Sequence, residues 1–407
     1  MKGLSSLAAA AVALLPSHAA LADASSRGGV TLETRAFVPD EDETTEDLGI
    51  AVSSQMEVKF QAKPFSVVLR GFARLDAIDD TRNIVDLQEG YVGFTTDRFT
   101  LRIGSQIINW TATEAFHPAD ILNSRNLDSD IENQEKLGEP MVEFRLRVLK
   151  GEIGAYFMPV RIAPKVPVEG SRLAVIPGGL VVGDVLWVDR NGKPTEERFT
   201  PQAAAHVTQT IGPADVSLHV VDYSDRHTPT FTQDTESGDI RATLHSVTQF
   251  GLTYVHVVGP LIMKVEAAKR IFRPVAEDTG EFDIDEVPDH EKAAVGLEYG
   301  WTTSAGHDAT LVAEGQAVFE SPRDERKDLD VFQGDVLVGY RHQFNDVNAR
   351  ELFLAFIADV ETPNEYVAAL RYSQRITDVW SVAGSAHSLR LFERAIQEGS
   401  LLLTRNF

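Results

Sequence analysis

Charged and amide side chains recur at intervals of two or four residues along several short stretches. Arg70 and Arg74 form one such set, Arg102 and Gln106 a second, Glu143, Arg145 and Arg147 a third, and Lys264 and Glu266 a fourth. Glu298 and Glu314 occupy the same alternating position in their own stretches. In extended backbone, residues i, i+2 and i+4 point to one face. Side chains of these types gathered on one face could line a water-filled path, where rings of opposite charge orient polar solutes and select ions. Paired across neighbouring strands, the same charges would only solvate an interior. Either reading requires extended segments that present these residues together.

Period-two alternation recurs along the whole chain. Val142, Phe144, Leu146 and Val148 interleave with Glu143, Arg145 and Arg147, and Val295, Leu297 and Tyr299 with Gly296 and Glu298. About 18 such segments of roughly ten residues can be counted, the first at 28–38 and the last at 398–407. Ten residues is the length a tilted strand needs to cross a bilayer. Short connections such as Ala62-Lys63, Lys150-Gly151, Gly212-Pro213 and Gly259-Pro260 alternate with long ones at 39–49, 77–84, 110–139, 161–200, 225–243, 273–290 and 321–330. This pattern predicts an all-β fold: a transmembrane antiparallel β-barrel of 16–18 strands, with short periplasmic turns and long external loops. Closing the sheet satisfies every backbone polar group where no water is present. At this strand number the interior is wide enough for an aqueous channel. In an 18-stranded ring the basic third strand would face the acidic twelfth.

The chain has 407 residues, a formal net charge of −23 and no Cys. An acidic balance argues against nucleic acid as a partner. The missing Cys excludes a disulfide scaffold, a thiolate metal site and an acylated lipoprotein anchor. Residues 1–22 read as a signal segment, with Lys2, an apolar run over Leu4–Leu15, and cleavage expected between Ala22 and Asp23. Residues 23–407 then form a single domain, expected in the outer membrane of a two-membrane cell, in contact with lipid and lipopolysaccharide.

The most distinctive stretch runs from Gly104 through Gln106 to Trp110 and on to Asp120, Asn123 and Arg125. It resembles a porin-like family of Gram-negative outer-membrane proteins whose pattern runs G-x-Q-x-x-x-W-G, then D-x-x-N-P-R-D. Thr111, Ser124 and Asn126 depart from that pattern. The resemblance covers about 25 residues and implies a barrel rather than any given solute. The C-terminal Phe407 likewise looks like the terminal signature read by the barrel-assembly machinery, with Arg405 as a departure. By position, the stretch enters the third external loop, 110–139. By analogy with general porins that loop would fold into the lumen, with a short helix over His117–Leu122 and with Asp120, Asp128, Asp130 and Glu132 adding negative charge at a constriction. An exposed loop resting on the rim is the alternative.

The acidic runs at 39–47 and 277–289 offer carboxylates to divalent ions but do not match the spacing of a calcium loop. His245, Ser246 and His256 are present without a catalytic motif. No cofactor and no enzymatic activity are expected. The expected function is passive diffusion of small polar or ionic solutes, with homo-oligomers possible. A transporter for a hydrophobic or aromatic compound and a closed structural or adhesive barrel are the alternatives.

Overall fold

The computed structural model describes residues 23–39, 45–129, 134–167, 171–173, 185–227, 229–235, 238, 240–319, 322, 325–362, 364–391 and 394–407. The signal segment, Asp130, Glu132 and Asp40–Glu43 lie outside the described residues.

Eighteen strands form the wall. They are β1 (Asp23–Phe37), β2 (Leu48–Ala62), β3 (Phe65–Asp76), β4 (Ile84–Thr95), β5 (Phe99–Gln106), β6 (Glu139–Val148), β7 (Gly151–Met158), β8 (Gln202–Ile211) and β9 (Ala214–Ser224). The ring continues with β10 (Ile240–Val258), β11 (Leu261–Phe272), β12 (His290–Thr302), β13 (Asp308–Phe319), β14 (Gly334–Gln343), β15 (Glu351–Asp359), β16 (Tyr366–Arg375), β17 (Trp380–Leu391) and β18 (Arg394–Asn406). Each strand pairs antiparallel with the next, and β1 pairs with β18 from Gly29↔Asn406 to Phe37↔Glu398. The sheet is therefore a closed antiparallel barrel. Residues 23–37 are part of the wall, so this segment does not plug the interior.

Two-residue turns at Lys63-Pro64, Leu149-Lys150, Gly212-Pro213 and Gly259-Pro260 lie at one end, and both ends of the described chain lie there too. The long connections lie at the other end. Several strands project beyond the wall there. β10 is 19 residues long, and its first turn of ladder pairs with Thr230–Asp234 and, in parallel, with Leu186–Val188.

Alternation sorts the side chains as the pleat requires. Val336 and Val338 of β14 and Leu401 and Leu403 of β18 point outward and are exposed, while Leu337 between the two valines is buried. An outward band of this kind costs little in hydrocarbon. Aromatic rings gather near the short-turn end: Phe65, Phe94, Phe99 and Phe144 form one chain of contacts with centroids 5.2–5.8 Å apart. Tyr299, Trp301 and Tyr340 form another. Rings placed at that level match the aromatic girdle of membrane barrels.

The interior departs from the expected uniform polarity. On β14–β18, near the long-loop end, the inward residues Leu337, Ile357, Val367, Leu389, Leu391 and Ile396 are apolar and buried, packed with Phe116 and Phe332. The sequence carries a trace of this. Val336-Leu337-Val338 and Leu352 to Ala358 are apolar on both faces, as strands buried on both sides are.

Candidate pore and constriction

The third long loop, residues 107–138, is built from the inside out by the residues of the distinctive motif. Gly104, at the end of β5, has φ +135°, and a Cβ there would lie 2.1 Å from the Gly90 carbonyl oxygen. Only glycine fits that bend. Asn123 then ties the two stems of the loop. Its Nδ2 donates to the carbonyls of Gln106 at 2.8 Å and Leu137 at 2.9 Å, and its Oδ1 accepts from the Ile108 amide at 2.8 Å. Asp120 accepts from the Trp110 amide and ion-pairs with Arg125 at 2.9 Å and Lys136 at 2.6 Å. Gln106 is buried against these stems.

Trp110 fixes the loop to the wall. Its ring stacks on His206 of β8 at 4.7 Å and on His219 of β9 at 4.9 Å, and meets Tyr156 of β7 edge-on at 5.5 Å. The loop then crosses the interior. Glu266 of β11, buried, accepts from the amides of Ala112 at 2.5 Å, Thr113 at 2.9 Å and Ala119 at 3.1 Å. Glu314 of β13 accepts from the amides of Glu114 at 2.6 Å and Ala115 at 2.9 Å. Gln249 of β10 donates to the Pro118 carbonyl at 3.0 Å. The loop therefore leaves one side of the barrel and is held on the opposite wall; it is not an exposed rim loop.

Two details differ from the sequence reading. First, His117–Leu122 is not a helix. It makes a single turn closed by Asp120 N to His117 O at 3.1 Å, with the Ala119 amide donating to Glu266 and the Asp120 carboxylate accepting from the Trp110 amide. Second, Asp120 adds no free negative charge. Burial alone would raise its pKa, but Lys136 and Arg125 hold it below the ordinary carboxylate value, and the three charges form one compact group. Asp128, also buried, contacts the Ser171 hydroxyl.

The remaining candidate residues fall on the inner face, mostly as ion pairs. Arg70 meets Glu89 at 3.4 Å, and Arg74 makes a two-pronged contact with Glu135 of loop 3 at 2.9 and 3.2 Å. Arg102 approaches Glu143 at 3.5 Å and covers the Tyr91 ring. Arg145 bridges Glu143 at 3.0 Å and Glu152 at 3.3 Å. Lys264 contacts Glu298 and, at 3.3 Å, Glu114. Arg147 stands apart at the short-turn rim, donating to the carbonyls of Thr96 and Asp97. The expected basic wall facing an acidic wall is thus largely neutralised within each wall, or bridged by loop 3.

Sequence reasoning missed Glu114, which pairs with both Lys264 and Arg341 at 3.2–3.3 Å. It also missed Arg226, whose fully buried guanidinium pairs with Glu139 at 2.7 Å and donates to the Leu122 carbonyl. Neither residue alternates with apolar neighbours in a way that would single it out. Ser246 donates to the Val188 carbonyl at 2.7 Å, and His245 contacts Thr230 at 3.0 Å, so these do not form a nucleophile and base. Among the described residues no group of three or more His, Asp or Glu could hold a metal ion.

Loop 3 divides the interior into two main cavities. One, about 820 Å³, opens at the long-loop end, and the other, about 500 Å³, runs along β14–β18 toward the short turns. Phe332 and Val367 line both. The Phe332 ring, backed edge-on by Phe116 of loop 3 at 5.5 Å, stands with Val367 at the neck between the cavities.

Solved structures share this architecture. The crystal structure of Pseudomonas aeruginosa OccK5 (OpdH) matches with TM-score 0.57 at 10% identity, covering 95% of this chain and 98% of that one. Those of P. aeruginosa OccK2 (OpdF) and OccK9 (OpdG) match with TM-score 0.56 at 9% and 11% identity, over 95% of this chain and 97% and 98% of theirs. The fold is that of the outer-membrane porins. No protein-family model matches the chain, and no curated protein matches it in sequence.

Proposed function

We propose that the porin-fold barrel sits in the outer membrane and serves as a channel through which small polar or ionic solutes diffuse passively. The observation that carries this is the loop latched across the lumen by Glu266 and Glu314 with a cavity on either side. A loop held in this way narrows a wide barrel without filling it, and at 18 strands the unobstructed interior would be a channel. In this reading the ion pairs formed by Arg70, Arg74, Arg102, Glu143, Arg145, Lys264 and Glu298 line and solvate the path. The signal segment is removed near Ala22-Asp23. The outward apolar band meets lipid and lipopolysaccharide, and Phe407 is read by the assembly machinery. Copies of the chain associate if the outward face provides a contact.

The test is reconstitution of the full mature chain in planar bilayers and in liposomes. Discrete conductance steps, and swelling rates that fall as solute size rises, support the channel. A folded barrel that gives neither leaves the closed structural reading in its place.

A further inference from the structure

We propose that the cavity at the long-loop end is a binding site for an amphipathic aromatic cation, a molecule pairing an aryl ring with an ammonium group. The inference deepens the channel reading, since a ligand seated there lies directly above the neck, but its test does not pass through conduction.

The walls are apolar and aromatic. Phe272 at the end of β11, Phe332 at the neck, and Val367, Leu389 and Leu391 from β16 and β17 face the space. At about 820 Å³ the cavity accommodates a molecule of one or two rings. Apolar walls select the ring; the charges around them select the sign.

Arg270 lines the cavity and Lys292 lies behind its wall, and both are matched. Arg270 ion-pairs with Asp225 at 2.5 Å and Lys292 with Asp330 at 2.7 Å. The rim carries a surplus of the other sign. Asp285, Glu286, Glu325 and Asp328 are exposed around the opening and make no ion pair among the described residues; Lys327 lies beside them, and the adjacent Arg326 pairs with Glu361 at 2.9 Å. A rim of that sign concentrates cations and repels anions.

A buried group points the same way. His290 is 1% exposed and lines the cavity, its ring stacked on Phe272 with centroids 5.6 Å apart. Its Nδ1 lies 2.9 Å from the Pro288 carbonyl oxygen. A carbonyl only accepts, so Nδ1 carries the proton, and in the neutral ring Nε2 is left as a lone-pair acceptor. Among the described residues Nε2 has no hydrogen-bond partner. An ammonium N–H supplies the donor that this nitrogen lacks; Phe272 is already covered by the Arg270 guanidinium at 5.1 Å and by His290, so it is Phe332, lining the cavity, whose ring favours a cation over a neutral molecule of the same shape.

Three probes of one size separate ring from charge: 2-phenylethylamine as its cation, 2-phenylethanol, and 3-phenylpropanoate. Each is titrated calorimetrically into the folded full chain in detergent, after subtracting the heat of partition into protein-free micelles. The amine is expected to bind saturably and most tightly, the alcohol about tenfold more weakly, and the acid not at all. Replacing two of the four rim carboxylates, Asp285→Asn with Glu286→Gln, lies outside the wall and leaves the barrel intact; it should bring the amine toward the affinity of the alcohol. Phe332→Ala should weaken amine and alcohol together, by about tenfold. Equal affinity for all three probes, tighter binding of the acid, or unchanged amine affinity in both variants overturns the proposal. Binding without conductance would sink the channel and spare this site, and an open pore that ignores the amine would do the reverse.

Discussion

Glu266 shows how much one side chain can decide. Its carboxylate accepts three backbone amides of loop 3 on the wall opposite the loop's origin. Hydrogen bonds to a charged acceptor contribute about 1.5–3 kcal/mol each when buried. Glu266→Ala should therefore release the crossing segment while β11 keeps its ladder. The expected outcome in planar bilayers is a larger and noisier unit conductance with unchanged barrel migration on gels; a wild-type current would refute the latch. Asp120 makes a pH prediction. Its pKa is lowered in the folded chain, below 3.8, by Lys136 and Arg125 acting against burial. A depressed carboxylate contributes stability above its unfolded value and loses it as the pH falls through the folded one. The Asp120 group should thus contribute its full share at neutral pH and lose it below about pH 4, read as the part of the acid-range change in Trp110 fluorescence that Asp120→Asn abolishes. The identities of Asp120, Asn123 and Arg125 stood out in the sequence, but their job did not. A carboxylate in a loop reads as free charge until its two cations, one of them Lys136 on the returning stem, are placed beside it.

The strands were legible because the membrane and the lumen demand opposite side chains, and a two-residue period records that demand directly. The number of strands, the short turns and the even return of the chain all follow from it. Loop 3 was legible only in its start, since hydrogen bonds between its backbone and carboxylates more than a hundred residues away leave no periodic trace. The apolar inner patch on β14–β18 was missed because lumen residues were expected to be polar, whereas Phe116 and Phe332 cover Leu337, Ile357 and Leu389 from the loop side. At this scale Gly104 is the sharpest test. Any Cβ there would meet the Gly90 carbonyl at 2.1 Å in a backbone conformation that side chains disfavour. Gly104→Ala should cost about 1–3 kcal/mol of strain, lowering the yield of folded barrel far more than an alanine at the neighbouring Ser105; equal yields would contradict the assigned bend.

Considered whole, the molecule is a ring whose outside tolerates lipid and whose inside is cross-linked by charge pairs and one inserted loop. A closed antiparallel cylinder resists detergent because no strand edge is left to attack. The folded chain is expected to migrate differently on a gel before and after boiling, with the folded band lost only on heating; identical migration would mean the ring does not close.

That closure has a kinetic side. Thr31 and Thr404 touch across the first and last strands although 373 residues separate them, and Gly28 and Phe407 exchange two backbone hydrogen bonds at the same place. Joining points so remote carries the largest loop-closure entropy in the molecule, and non-local pairing of this kind forms slowly. Until that final zipper runs shut, β1 and β18 are bare edges, so the half-made ribbon is the form most exposed to proteolysis and to sticking. Anything that brings these two margins together would shorten the most vulnerable stage of the protein's life.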